Sequence, residues 1–300
     1  MMRLSMETLN LGLDYGIKEA LRLMKDAGFD AADLTLDKIN PDDDLLHRPD
    51  MREFAVSLRK YAEEIGIGFA QAHAPFKVQY GDPFDMSCPA YADVVTSLEL
   101  CAILGIPHVI VHAIKTPRED INVDYKEYNR AYYLSLLPYC EKFGIKIAVE
   151  NLFWKDKLRD CFFGIFPTPK EMTEFVDSLG SPYFVVCCDL GHAAITGLAP
   201  ETYIGGMDNR HLLSLHVQDT DFKGDRHILP YEGKQDWDAI CRSLAAIDYR
   251  GDFSFEILHY IDKYPPELIP AALEFAVKVG RALIARVESY RKNAGPRPGA

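Results

Sequence analysis

Three hundred residues, 48% of them hydrophobic, give ample material for a core, and a formal net charge of −12 removes the basic footprint needed to grip a phosphate backbone. Seven cysteines, odd in number and without a C-x-x-C pair, read as reduced thiols and exclude a disulfide scaffold. No run approaches the roughly 20 apolar residues of a membrane span and no cationic-then-apolar leader opens the chain, so a soluble, cytoplasmic protein is expected.

Leu4 to Leu9 predicts a first strand, and Gly16 to Ala27, apolar at Ile17, Leu21, Leu23 and Met24, a helix closed by Gly28. Ala31 to Leu36 follows as a short apolar stretch, then an acidic, proline-containing loop from Asn40 to Asp50 and a helix from Met51 to Ile65 stopped by Gly66. The third strand is Ile67 to His73, with Tyr91 to Leu104 as its helix. The fourth is His108 to His112, followed by the helix Asp124 to Phe143 and Gly144. Ile145 to Glu150 makes the fifth. The stretch Asn151 to Pro169 is expected as a long loop, but it carries Phe153, Trp154, Phe162, Phe163 and Phe166, which suits either a wall over a pocket or a contact with another subunit.

Thr168 and Glu171 read as a capping box for the next helix, with Gly180 beyond its end. The stretch Phe184 to His192, F-V-V-C-C-D-L-G-H, is the sixth strand, an apolar run that stops at Asp189; its adjacent Cys187 and Cys188 face opposite sides and are expected to pack. Glu201 to Arg210 is a short helix or irregular link, and Leu212 to Val217 the seventh strand. A polar, glycine-containing loop leads to the helix Trp237 to Ile247, for which Asp236 is a candidate N-cap. Phe253 to Leu258 is the eighth strand and Pro265 to Tyr290 a long closing helix.

Eight strand–helix pairs, about 35 residues apart, predict an α/β fold of the (β/α)8 TIM barrel type, a single domain over residues 1–291 with a frayed tail at 292–300. A doubly wound sheet is the alternative, but no G-x-G-x-x-G turn follows the first strand. A barrel brings every strand's C-terminal end to one face. His73, His112, Glu150, Asp189, His192, His216, Asp225, His227 and Glu256 would therefore share one mouth. So many carboxylates at close quarters repel unless a cation neutralises them. Glu150, Asp189, His216 and Glu256 form a mainly hard oxygen set that suits Mn²⁺ or Mg²⁺ and tolerates Co²⁺ or Zn²⁺. His73 and His112 are expected as site residues, extra ligands among the possibilities. His108 should face the other end of the barrel, and His47, His211 and His259 are ordinary surface or packing residues. Asp219 and Lys223 read as solvated loop charges.

V-E-N-L around Glu150, D-L-G-H at Asp189 to His192, H-V-Q-D at His216 to Asp219, D-R-H-I-L-P-Y-E-G-K-Q-D-W at Asp225 to Trp237 and F-E-I around Glu256 together resemble the sugar phosphate isomerase/epimerase family of xylose isomerase-like TIM barrels. The resemblance spans the third strand to the eighth. It implies a Mn²⁺-type ion at Glu150, Asp189, His216 and Glu256, the two glutamates as an acid/base pair, and His192 on a substrate oxygen. Moving hydrogen between adjacent sugar carbons requires taking a proton from carbon beside a carbonyl and stabilising the enediolate, which a metal and two facing carboxylates supply. The expected activity is therefore metal-dependent sugar (or sugar phosphate) isomerisation or epimerisation, with His73, His112, His192, Asp225, His227 and Trp154 around the substrate. The expected assembly is a homodimer or homotetramer. The same barrel serves apurinic/apyrimidinic endonuclease family 2, whose trinuclear zinc site the histidines and acids also resemble; few cationic loops argue against nucleic acid. A non-catalytic sugar-binding or partner-subunit barrel is the third reading.

Overall fold

The structure, a computed structural model, describes residues 2–37, 44–76, 86–114, 124–158 and 160–293. The start of the expected Asn40–Asp50 loop, residues 40–43, and the tail beyond Asn293 lie outside the described residues. Among the described residues ten strands form: β1 (Leu4–Glu7), β2 (Ala31–Thr35), β3 (Gly68–His73), β4 (His108–Ile110), β5 (Lys146–Glu150), β6 (Leu152–Asp156), β7 (Cys161–Ile165), β8 (Phe184–Asp189), β9 (Leu212–His216) and β10 (Phe253–Phe255). Eight of them make one all-parallel sheet in the order β10-β1-β2-β3-β4-β5-β8-β9. The ends meet where the Val217 N–H donates to the Ser254 carbonyl (2.8 Å) and the Glu256 N–H to the Val217 carbonyl (3.0 Å), closing the ring. This is the (β/α)8 TIM barrel.

The strands are buried along both faces, as L-S-M-E, A-A-D-L-T and F-V-V-C-C-D show, because helices cover the outside and side chains fill the inside. Inside, Ile110, Ala148, Val185 and Cys187 pack together, while Cys188 turns outward into the large helix–sheet core, so the paired cysteines do take opposite faces. All seven cysteines are free. The covering helices end where glycine permits a left-handed turn, at Gly66 (φ 76°) and Gly144 (φ 67°) among others. Thr168 accepts the Glu171 N–H (3.2 Å) and Asp236 those of Asp238 and Ala239 (both 3.0 Å), the caps expected at those positions.

Three local expectations are corrected. The first strand stops at Glu7, and Leu9–Tyr15 is a helix of its own, set off from Ile17–Ala27 by Gly16 at φ 78°. The closing helix starts at Ile269 rather than Pro265 and runs to Asn293, whereas the short helix expected after Ala199 forms at Pro200–Gly205. Most consequentially, Asn151–Pro169 is not a loop: β6 and β7 pair antiparallel as a hairpin, with Trp154 opposite Phe163. Aromatic and β-branched residues pair well across strands, which accounts for the aromatic content that made the segment unusual as a loop. No helix among the described residues is long and apolar enough to cross a membrane.

Candidate metal centre and its cavity

Four strand ends meet at the C-terminal mouth. Glu150 closes β5, Asp189 closes β8, His216 closes β9, and Glu256 follows β10; all four are buried. His216 Nδ1 faces one carboxylate oxygen from each acid: Glu150 Oε1 at 3.0 Å, Glu256 Oε2 at 3.6 Å and Asp189 Oδ2 at 3.8 Å. Donor atoms of the four lie within 4.8 Å of one another. Asp189 also caps the short helix Leu190–Ile195 through the His192 N–H (2.6 Å), so capping and convergence on the centre are one residue's work. Asn151, beside Glu150, ties the two strand ends by exchanging hydrogen bonds with the Asp189 backbone (2.8 and 2.9 Å).

The remaining expected residues divide into two flanks. His73 and His112 stand on one: His112 Nε2 is 2.9 Å from Glu150 Oε2, His73 Nε2 is 3.4 Å from Glu256 Oε1, and the His73 ring stacks on His216 at 4.4 Å. His192, Asp225 and His227 stand on the other, with His227 Nε2 2.8 Å and His192 Nε2 3.5 Å from Asp225 Oδ2. His227 holds this place with a left-handed backbone (φ 46°). His108 sits at the opposite end of the barrel, at the start of β4.

A cavity of about 290 Å³ opens over the centre, walled by Phe76, His112, Glu150, Phe153, His192, Asp225, His227 and Glu256 among others. Trp154, expected beside the substrate, is not among the described residues that wall it. Neighbours along a strand point to opposite sides, and it is Phe153 whose ring turns in, 4.9 Å from His192, while Trp154 pairs with Phe163 at 6.4 Å. Asp219 is also corrected: it is fully buried rather than solvated, and accepts hydrogen bonds from the backbone N–H groups of Thr220, Tyr231 and Gln235 and from Trp237 Nε1 (2.8–3.2 Å).

Sequence reasoning missed Glu7, Asp33, Phe76 and Gln218. Asp33 lies fully buried under both stacked imidazoles, Oδ1 3.2 Å from His73 Nδ1 and Oδ2 3.8 Å from His216 Nε2, with Gln71 donating to Oδ2 at 2.7 Å. An acid inside the apolar run A-A-D-L-T was the available signal for it, and Glu7, ending L-S-M-E, fits the same strand-end pattern as Glu150.

Burial opposes ionisation throughout, and the neighbours decide the outcome. For Glu150 the imidazoles of His216 and His112 outweigh burial and hold the carboxyl well below its usual range; His216 and His227 do the same for Glu256. Asp189 goes the other way: burial, with the charges of Glu256 and Glu150 behind it, prevails over His192 and pushes it up to about 7. His227 is raised to about 10, because Glu256 and Asp225 overcome its burial. Imidazolium protons thus balance the carboxylates, the part a cation would otherwise play.

The donor set fits such a cation. Ligands about 2.1 Å from one ion and 90–110° apart stand roughly 3.0–3.4 Å from each other. The distances around His216 Nδ1 come within a few tenths of an ångström of that range. Glu256 Oε2, although buried, accepts no hydrogen bond from the described residues. Three carboxylate oxygens and one imidazole nitrogen suit Mn²⁺, Mg²⁺, Co²⁺ or Zn²⁺.

Compared with known proteins, the chain matches the family described as xylose isomerase-like TIM barrel over residues 21–279. It is similar to protein y4fM of Sinorhizobium fredii, 25% identical over 269 residues that span 81% of each chain. Among solved structures it is similar to a D-tagatose 3-epimerase-like protein, with a TM-score of 0.73 at 20% identity, covering 98% of this chain and 100% of that one. It is also similar to the IOLI protein, solved with a zinc atom bound, with a TM-score of 0.69 at 18% identity, covering 96% and 99%. Likeness at such identities establishes the fold.

Proposed function

Because the chain belongs to the xylose isomerase-like TIM barrel family, we propose that it is a divalent-metal-dependent isomerase or epimerase acting on a sugar or sugar derivative. The observation that carries this reading is the meeting of Glu150, Asp189, His216 and Glu256 around His216 Nδ1 at the floor of a cavity sized for one small ligand. The likeness to a D-tagatose 3-epimerase-like protein supports the substrate class, and the zinc in IOLI supports a metal; Mn²⁺ is the ion proposed for this mainly oxygen-donor set. No lysine or arginine lines the cavity among the described residues, which favours a free sugar over a phosphorylated one.

When bound, the ion would draw charge from two adjacent sugar oxygens and so acidify the hydrogen on the neighbouring carbon. Glu256 is the proposed base and Glu150 its partner. They belong to strands three steps apart around the ring, so they approach a sugar in the cavity from different sides. One carboxylate takes the proton and the other returns one to the opposite face, the arrangement an epimerisation needs. His73, His112, His192, Asp225 and His227 are the proposed partners of sugar hydroxyls, and Phe76 and Phe153 the apolar walls. A homodimer or homotetramer is the proposed assembly, supported by the exposure of Leu158 and Phe163 on the hairpin.

A second reading has one specific observation in its favour. Besides the central four, His73 with His112 and Glu150, and His192 with Asp225 and His227, also bring donor atoms within 4.8 Å. A three-ion phosphodiesterase could use all three groups. The charge of −12 and the acidic cavity wall oppose a nucleic-acid substrate.

The test is to incubate the Mn²⁺-loaded protein with ketoses and aldoses in deuterium oxide. Deuterium should enter the product at the reacting carbon, and Glu256→Gln should lower turnover about 10²–10⁴-fold. Unchanged turnover in that variant overturns the glutamate mechanism. Three ions per chain with cleavage of abasic DNA would establish the second reading.

A further inference from the structure

Gly191 of D-L-G-H and Gln218 of H-V-Q-D have no part in the chemistry above, yet their atoms meet. Gln218 is fully buried two residues beyond His216. Its Oε1 accepts the His227 N–H at 2.9 Å. A backbone N–H can only donate, so the amide end facing it is the oxygen, and the other end is the NH₂ group. That NH₂ lies 3.0 Å from Asp189 Oδ2, 3.3 Å from Asp189 Oδ1 and 2.9 Å from Asp225 Oδ1. Two hydrogens serve two carboxylates. A Cβ on residue 191 would stand 2.5 Å from Gln218 Cδ, so the motif's glycine leaves the room in which the amide sits.

A carboxylate has about four acceptor positions. On Asp189, Oδ1 takes the His192 N–H (2.6 Å), and the Gln218 NH₂ stands nearer Oδ2 (3.0 Å) than Oδ1 (3.3 Å), so it orients the oxygen that faces His216 Nδ1 3.8 Å away and leaves that oxygen its second acceptor position. A glutamate at position 218 would bring a third carboxylate against Asp189 and Asp225, and a lysine would put a permanent charge where it competes with the ion. A neutral double donor avoids both.

Resting on the metal reading above, we infer that Gln218 is a positioning residue: its amide clamps Asp189 to Asp225, presents one Asp189 oxygen to the ion, and ties the loop bearing Asp225 and His227 to the centre. Outer groups that orient metal ligands change metal affinity when removed, typically 10–100-fold.

The clamp is tested by calorimetric titration of MnCl₂ into metal-stripped protein at fixed pH, which reads affinity apart from turnover. Gln218→Ala is expected to weaken binding about 10–100-fold. Gln218→Glu, which keeps an oxygen for the His227 N–H but replaces the donor with a carboxylate that repels Asp189 and Asp225, should fall as far. Gly191→Ala should weaken binding in the parent chain and cost nothing further in Gln218→Ala, where the side chain it would strike is gone. Should the position-218 variants fail to fold, Asp225→Ala breaks the clamp from the cavity side and should also weaken Mn²⁺ binding, although Asp225 is not one of the four ligands. Parent-like affinity in Gln218→Glu or Asp225→Ala, or an equal Gly191→Ala loss in both backgrounds, overturns the clamp. A parent chain that takes up no Mn²⁺ overturns the metal reading itself, so the two failures are distinguishable.

Discussion

Asp219 organises the loop that carries Asp225 and His227. Four donors converge on its carboxylate, three from the backbone of the same loop and one from Trp237, with no exposure to water. Removing the acceptor leaves buried N–H groups unpaired, at about 1–3 kcal/mol each before relaxation. Asp219→Ala is therefore expected to lower stability by roughly 2–4 kcal/mol in denaturant unfolding, and a loss below 1 kcal/mol would contradict this account. Glu7 makes a second residue-scale case. Burial pushes its carboxyl up to about 8 from an ordinary 4.5, and the Leu9 N–H offsets this only in part. The folded chain keeps a proton that the unfolded chain gives up across that window, so stability falls as pH rises from 4.5 to about 8. In unfolding of metal-free protein at about pH 5 and pH 8, Glu7→Gln should show a shallower decline than the parent; identical slopes would speak against a protonated Glu7.

Among the elements, the hairpin of β6 and β7 does most to shape the cavity. Its Phe153 ring leans on His192 and closes one wall, while Trp154, one residue on, packs with Phe163. Phe153→Ala is expected to raise KM about 10-fold through lost apolar contact, with a smaller change in kcat, since Phe153 offers nothing to the proton transfer. Steady-state kinetics on the substrate found by deuterium exchange would check it, and a loss confined to kcat would exclude a wall function. The aromatic content of this segment was visible in the sequence, but its pairing was not. Short stretches such as L-F-W-K-D alternate too weakly to declare a strand, and the hairpin depends on cross-strand contacts that only a folded partner supplies.

At the scale of the whole molecule, an acidic chain gathers five of its nine histidines where its buried acids meet. Burial lowers the proton affinity of His216, but Glu256 and Glu150 prevail and raise it, so the imidazole holds its proton more firmly than usual. A cation entering the centre must displace that proton. Mn²⁺ uptake near neutral pH is therefore expected to release protons, and affinity to rise with pH. Calorimetry in two buffers of different ionisation enthalpy would reveal the release as a buffer-dependent heat; equal heats would refute it. Free Mn²⁺ at about 100 times its Kd should add roughly 2.7 kcal/mol of stability. The order of the eight barrel strands and their covering helices, the glycine stops, the caps at Thr168 and Asp236, and the acids and histidines standing at strand ends could all be read from the sequence alone, because periodicity and turn chemistry act over a few residues. Tertiary structure alone decided that Asp33 lies beneath His73 and His216, that Trp154 turns away where Phe153 turns in, that Asp219 is buried, and that Gln218 spans Asp189 and Asp225. Those facts depend on strand register and on β1 pairing with both β2 and β10, which brings together side chains as far apart in sequence as Asp33 and Ser254, and no local pattern records such a meeting.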